Sequence, residues 1–122
     1  MIRGLGVDLI GVARVEGMLA NSGFLARFYT ADEQAYVRGR GASGAQSAAG
    51  IFAAKEAMLK ALGTGIAPVG LLEVSVTHAA TGAPLAELGP NAAARLREIG
   101  GSRMLLSITH AEGMAVAVAV AE

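Results

Sequence analysis

The sequence predicts a single compact α+β domain, residues 1–122, in which an antiparallel sheet packs against one long helix. Three observations predict it. Gln46 to Leu62 is a nearly unbroken run of strong helix formers, Met104 to His110 and Met114 to Ala121 read as a closing β-hairpin, and the last of these strands alternates bulky with small residues. Met114, Val116, Val118 and Val120 would pack bulk on one face, while Ala115, Ala117, Ala119 and Ala121 let the long helix lie close on the other. Of 122 residues, 26 are Ala and 17 are Gly, so the core is thin and further burial by self-association is expected.

The remaining elements follow in order. Ile2 to Ile10 alternate as a strand, with Arg3, Leu5, Val7 and Leu9 on one face and Ile2, Gly4, Gly6 and Asp8 on the other. Glycines beside the Asp8 carboxylate predict space for something large and polar to approach. Gly11 opens a short helix with Val12, Val15 and Leu19 as its stripe, which Asn21-Ser22-Gly23 stops. Phe24, Leu25 and Phe28 form a small apolar cluster, and Thr30 with Glu33 has capping-box spacing for a helix to Val37. The glycines of residues 39–45 predict a mobile loop ahead of the long helix; Gly50 is that helix's weak point and Gly63 its C-terminal cap. Ile66, Pro68 and Gly70 lead into a strand from Leu71 to His78, with Leu72, Val74, Val76 and His78 on one face. Thr81 to Pro84 turn the chain into a short strand, Leu85 to Leu88, and Asn91 caps a helix to Ile99 that Gly100-Gly101 ends.

Composition excludes several chemistries. Without cysteine there is no thiol nucleophile, disulfide framework or thiolate metal site, and two histidines, His78 and His110, do not make a zinc-protease helix. Zero formal charge and 4 % aromatic residues speak against a nucleic-acid partner. No signal peptide or membrane span is evident, so a cytoplasmic protein is expected. Any metal should be a hard, oxygen-ligated ion.

Asp8 ends an apolar strand, as a ligand carboxylate or as a turn residue capping the next helix. Glu56 and Lys60, four residues apart, share a helix face on which Ala49 and Ala53 leave room for a ligand, though the spacing is also that of an ordinary helix ion pair. Gly63-Thr64-Gly65 suits a helix cap or a phosphate-holding turn. His110 ends its strand as a structural or a functional residue, and Arg14 is by default a solvated surface charge. Together the carboxylate, the helix Glu and Lys, the glycine turn and the strand-end His make a kit for divalent-metal-assisted phosphoryl transfer.

Gly4-Leu5-Gly6-Val7-Asp8-Leu9-Ile10, Phe52-Ala53-Ala54-Lys55-Glu56-Ala57 with Lys60-Ala61-Leu62-Gly63-Thr64-Gly65, and the closing Leu106-Ser107-Ile108-Thr109-His110 resemble the signatures of the holo-acyl-carrier-protein synthases, small 4′-phosphopantetheinyl transferases. The resemblance spans nearly the whole chain. It implies the 4′-phosphopantetheinyl transferase-like fold, a homotrimer with active sites between subunits, and transfer of 4′-phosphopantetheine from coenzyme A to a serine of apo acyl carrier protein, releasing adenosine 3′,5′-bisphosphate. It also implies that Asp8 and Glu56 hold Mg²⁺ with the coenzyme A diphosphate. Lys60 would serve the leaving phosphate, and Glu56, or a water it orients, would take the serine proton. Gly63, Thr64, Gly65 and His110 would contact the nucleotide, and Arg14 the acidic carrier. In one respect the chain departs from the pattern: Ile51 stands where the family carries an arginine, so either Lys55 or Arg40 is expected to replace that cation or coenzyme A is bound less tightly. Residues 1–61 carry seven basic and five acidic side chains against three and five in the rest, a tilt that suits an acidic partner. Alternatives are another Mg²⁺-dependent diphosphate-cleaving enzyme and a non-catalytic coenzyme A or carrier-protein binding module.

Overall fold

The computed structural model describes residues 1–65 and 69–122. Strand β1 (Gly4–Gly11) is followed by helices α1 (Val12–Leu19), α2 (Phe24–Phe28), α3 (Ala31–Gly39) and the long α4 (Gly44–Ala61). Strands β2 (Val74–His78) and β3 (Pro84–Leu88), helix α5 (Pro90–Glu98) and strands β4 (Met104–Ala111) and β5 (Met114–Ala121) complete the chain. The strands form two antiparallel sheets, one of three strands in the order β1-β5-β4 and one of two, β2-β3.

Several boundaries differ from the sequence reading. Residues 39–45 are a helix end, a 3₁₀ turn over Gly41–Ser43 and the start of α4, with Gly41 supplying the positive φ that lets one helix follow another so closely. Leu71–Glu73 is a 3₁₀ turn, so Leu72 does not share the face of Val74 and Val76 and stands exposed. Asn91 does not cap α5: the helix starts with Pro90 after Gly89, and the Asn91 amide donates instead to Glu73 Oε1 at 2.8 Å. Ile66 and Pro68 of the expected lead-in lie outside the described residues.

Helix α4 lies on β1 and β5 with very small residues between the backbones. Ala115, Ala117, Ala119 and Ala121 are fully buried beneath it, in register with Ile10, Asp8, Gly6 and Gly4 of β1. A methyl group built on Gly4 or Gly6 would overlap the carbonyl oxygens of Ala61 and Ala57. The space predicted above these glycines is therefore occupied by the helix itself, and that is why Asp8, next on the same face, meets α4 side chains.

Among the described residues, none covers the opposite face of the three-stranded sheet. Leu5, Val7, Leu9 and Leu105 are exposed there, and Val116, Val118 and Val120, expected to pack bulk into the core, are only half-buried. On the far side of α4, Phe24, Phe28, Tyr29 and Phe52 form an aromatic cluster, and the Tyr29 hydroxyl donates to the Ala48 carbonyl at 2.7 Å. The capping box of α3 is formed: Glu33 N donates to Thr30 Oγ1 and Thr30 N to Glu33 Oε1.

Candidate active site

Strand β1 and helix α4 run antiparallel, Gly4 against Ala61 and Gly6 against Ala57, so Asp8 arrives one turn nearer the helix N-terminus. Lys60 leans back over the preceding turn, as helical side chains do, and its Nζ donates to the Val7 carbonyl at 2.9 Å and to Asp8 Oδ1 at 3.1 Å. Glu56 lies on the same face one turn before Lys60. Burial first, and the Asp8 charge second, push the Glu56 carboxyl above the ordinary carboxylate range, with Lys60 opposing. Asp8, Glu56 and Lys60 line one cleft with Ile10, Arg14, Met18 and Phe52.

The donor set there fits a hard divalent cation. Two carboxylates close enough to repel one another gain from a shared positive charge, and carboxylate oxygen is the ligand such an ion prefers. Among the described residues no group of three or more acidic, His or Cys side chains that could hold a metal occurs, so an ion held by these two carboxylates would need other oxygen donors to complete its shell.

Arg14 stands exposed at the rim of this cleft and also borders a neighbouring groove between α1 and α2, floored by Met18, Phe24 and Phe28. Arg27 lines that groove as well. Sequence reasoning passed over Arg27, because only its place on α2 beside the apolar cluster distinguishes it from any surface charge.

The other expected site residues are placed elsewhere. Gly63 (φ +72°) ends α4 in a Schellman motif: its N–H donates to the Lys60 carbonyl and that of Thr64 to the Leu59 carbonyl. Those two amides are thereby engaged, and the Thr64 hydroxyl donates to the Leu59 carbonyl at 3.5 Å, so of the two readings of this turn the described contacts are those of the helix cap. Arg95 Nε, donating to the Leu62 carbonyl at 2.9 Å, ties the same turn to α5.

His110 sits at the other end of α4. Its Nε2 is 2.9 Å from the Gln46 carbonyl oxygen, and a Cβ on Gly50 would lie 3.0 Å from that nitrogen, so the weak point of the helix is the seat of this ring. Gly50 and Gly63 are roughly 20 Å apart along α4 at 1.5 Å per residue, so one chain does not bring His110 to the Gly63–Gly65 turn. His110 instead lines a groove with Arg40, Ile51, Tyr36 and His78. Tyr36 and His78 stack at 4.0 Å, 8° from parallel, with the Arg40 guanidinium 5.7 Å from the Tyr36 ring centroid.

Burial, and then Arg40, lower the His78 pKa. The folded chain thus favours neutral imidazole, and this contribution to stability is present above the ordinary value of 6.5 and is lost as pH falls through the lower folded value. Melting curves at about pH 7.5 and about pH 5.5 are expected to show a larger loss on acidification for the native chain than for His78→Asn.

Lys55 does not fit its expected role in nucleotide binding. Its side chain is wholly buried, and Nζ is paired with the equally buried Glu33, whose Oε2 accepts from Val76 N at 2.9 Å. Burial lowers the Lys55 pKa, and the charge and hydrogen bond of Glu33 oppose that shift. A ligand has no access to this ammonium group. Of the two cations expected to replace the arginine absent at Ile51, only Arg40 is exposed and lines the same groove. Ile51 itself is a core residue, 2 % exposed.

The sequence profile of the 4′-phosphopantetheinyl transferase superfamily matches residues 4–119, and the chain belongs to that superfamily. The holo-[acyl-carrier-protein] synthase of Treponema denticola is 43 % identical over 122 residues, covering 100 % of this chain and 99 % of that one. The crystal structure of the holo-[acyl-carrier-protein] synthase of Neisseria meningitidis superposes with a TM-score of 0.90 at 34 % identity, covering 100 % of this chain and 99 % of that one. The synthase of Bacillus anthracis, in complex with CoA (3′,5′-ADP), superposes with a TM-score of 0.84 at 35 % identity, covering 100 % and 97 %. The chain is an enzyme of the type these relatives are named for.

Proposed function

We propose that this chain, as one domain over residues 1–122, transfers the 4′-phosphopantetheine group of coenzyme A to a serine hydroxyl of apo acyl carrier protein, with Mg²⁺, releasing adenosine 3′,5′-bisphosphate. The observation that carries the proposal is the meeting of Asp8, Glu56 and Lys60 in one cleft. Asp8 and Glu56 would hold Mg²⁺ there, and the ion would supply neutralisation of the diphosphate charge. Glu56, or a water it orients, takes the proton as the serine oxygen forms its bond to the β-phosphorus. The bond from that phosphorus to the nucleotide's phosphate breaks, and Lys60, half exposed beside Asp8, neutralises or protonates the departing oxygen.

Arg14 and Arg27, flanking the apolar floor of Met18, Phe24 and Phe28, suit an acidic carrier helix with an apolar stripe. Arg14→Glu is expected to raise KM for the carrier by about tenfold, more at low salt than at high, with kcat little changed. Steady-state rates at two ionic strengths check it.

The nucleotide of coenzyme A is assigned to the groove of Arg40 and His110, with Thr64 and Gly65 at the end nearer Lys60. Because one chain holds these two groups at opposite ends of α4, the reading needs a second copy to bring them together. The uncovered face of Leu5, Val7, Leu9 and the β5 valines supports such assembly, here taken as a homotrimer with sites between subunits. Among the described residues no helix is long and apolar enough to cross a membrane.

The test is incubation with Mg²⁺, coenzyme A and apo acyl carrier protein, followed by intact mass of the carrier. Gain of one phosphopantetheine supports the proposal; an unmodified carrier overturns it. Nucleotide release without any carrier would indicate a diphosphate-cleaving enzyme, and coenzyme A binding indifferent to Mg²⁺ with no product would indicate a binding module.

A further inference from the structure

Glu33 and Lys55 are the charged residues that the described fold buries fully, and the transferase chemistry uses neither. Burying an ion pair costs heavily in lost hydration, and apolar residues of the same volume usually serve stability as well or better. The pair needs another explanation, and its position on α4 supplies one.

Over β1 and β5, α4 lays alanines against alanines and glycines, which permits close approach but puts no large side chain in the way of rotation or sliding; the Ile108 and His110 side chains of β4 meet it at Gly50, in its N-terminal half. On the side away from the sheet, Ile51, Lys55, Met58 and Leu62 form one buried stripe. The apolar members of that stripe make non-directional contacts. Lys55, at its centre, makes a directional one through its side chain: Nζ meets Glu33 of α3, which in turn accepts from Thr30 N and from Val76 N of β2, so three elements are fixed to one point, whereas Tyr29, His110 and Arg95 bond backbone carbonyls toward the two ends of the helix. Glu56 is the next residue, turned about 100° around the axis toward Asp8, and a slip of a single residue step would carry it out of the cleft.

We propose that Glu33 and Lys55 are positioning residues, whose buried pair sets the rotation and axial position of α4 that present Glu56 and Lys60 to Asp8. The inference rests on the transferase reading only for its kinetic readout.

Lys55→Met keeps the length of the side chain and leaves Glu33 its two backbone donors. The variant is expected to fold, to bind coenzyme A with KM within about threefold of the native value, and to lose about a hundred-fold in kcat, the effect of a displacement of about 1 Å at a reacting group. Its crystal structure is expected to show Lys60 drawn away from Asp8 and the Val7 carbonyl. Because the chain has no cysteine, Lys55→Cys can be aminoethylated selectively while unfolded, which rebuilds a side chain of lysine length and charge. Refolding should then restore most of kcat.

A folded Lys55→Met chain with kcat within about threefold of native, an unmoved α4, or an aminoethylated chain no better than the unmodified cysteine variant would each overturn the proposal. If Lys55→Met does not fold, Lys55→Arg decides, since it keeps the charge but not the length: a fall of about tenfold in kcat with KM unchanged supports the proposal, and an unchanged kcat overturns it. A native chain inactive on carrier protein would instead overturn the transferase reading, leaving the crystallographic comparison to judge the pair.

Discussion

Replacing Glu56 with Gln is expected to lower carrier-protein modification by about a thousand-fold, while the chain folds and assembles as before. The two side chains have the same shape, so packing against Asp8 and Lys60 is kept. An amide, however, neither accepts the serine proton nor offers the negative charge that a divalent cation needs. Glu56 sits where burial and Asp8 already favour its neutral form, so the cleft tolerates the uncharged amide well. Intact-mass kinetics on the carrier, with sedimentation of the same sample, separate the two properties. Dissociation of the Gln variant into monomers would give Glu56 a structural role in assembly.

Gly6→Val is expected to destabilise the fold by about 3 kcal/mol or more, a large share of a domain's stability, and to lower the melting temperature by on the order of 10 °C. The cause is backbone against backbone. The new Cβ would overlap the Ala57 carbonyl oxygen, which belongs to a hydrogen-bonded helix turn and cannot rotate aside. Gly17→Ala is the control, since nothing lies within 4 Å of an added methyl there. Its expected effect is neutral or mildly stabilising, by up to about 1 kcal/mol. Urea unfolding of both variants checks the pair, and a Gly6→Val chain as stable as the native one would mean that β1 and α4 stand further apart than described.

The same contact shows why the sequence was legible in some places and opaque in others. Alternation in β1 and β5 placed each residue on its correct face, because strand periodicity is local. What covers each face is not local. The glycines of β1 read as room for a ligand and turned out to admit a helix, and the valines of β5 read as core and lie on the uncovered side. Glu56, Lys60 and Asp8, which the fold gathers in one cleft, could be singled out because a four-residue helix spacing and a strand-end carboxylate are visible without the fold. Lys55 was misread for the opposite reason. It stands in the same motif as Glu56, but its partner Glu33 is 22 residues away and was recognisable only as half of a capping box. His110 explains Gly50 in a way no local rule anticipates, since the two are brought together by sheet and helix rather than by spacing.

The alanine and glycine seam between α4 and the sheet has a thermodynamic consequence for the cleft above it. Neither residue has rotamers to lose, so docking the helix fixes β1 against α4 with almost no loss of side-chain conformational entropy. A seam of leucines and methionines would interconvert among alternative packings, each holding the helix at a slightly different height. Between alanines and glycines no such alternatives arise, so the height of α4 over β1 varies little and the separation of Asp8 from Glu56 shares that narrow distribution, while rotation and sliding are limited by the buried pair of Lys55 and Glu33.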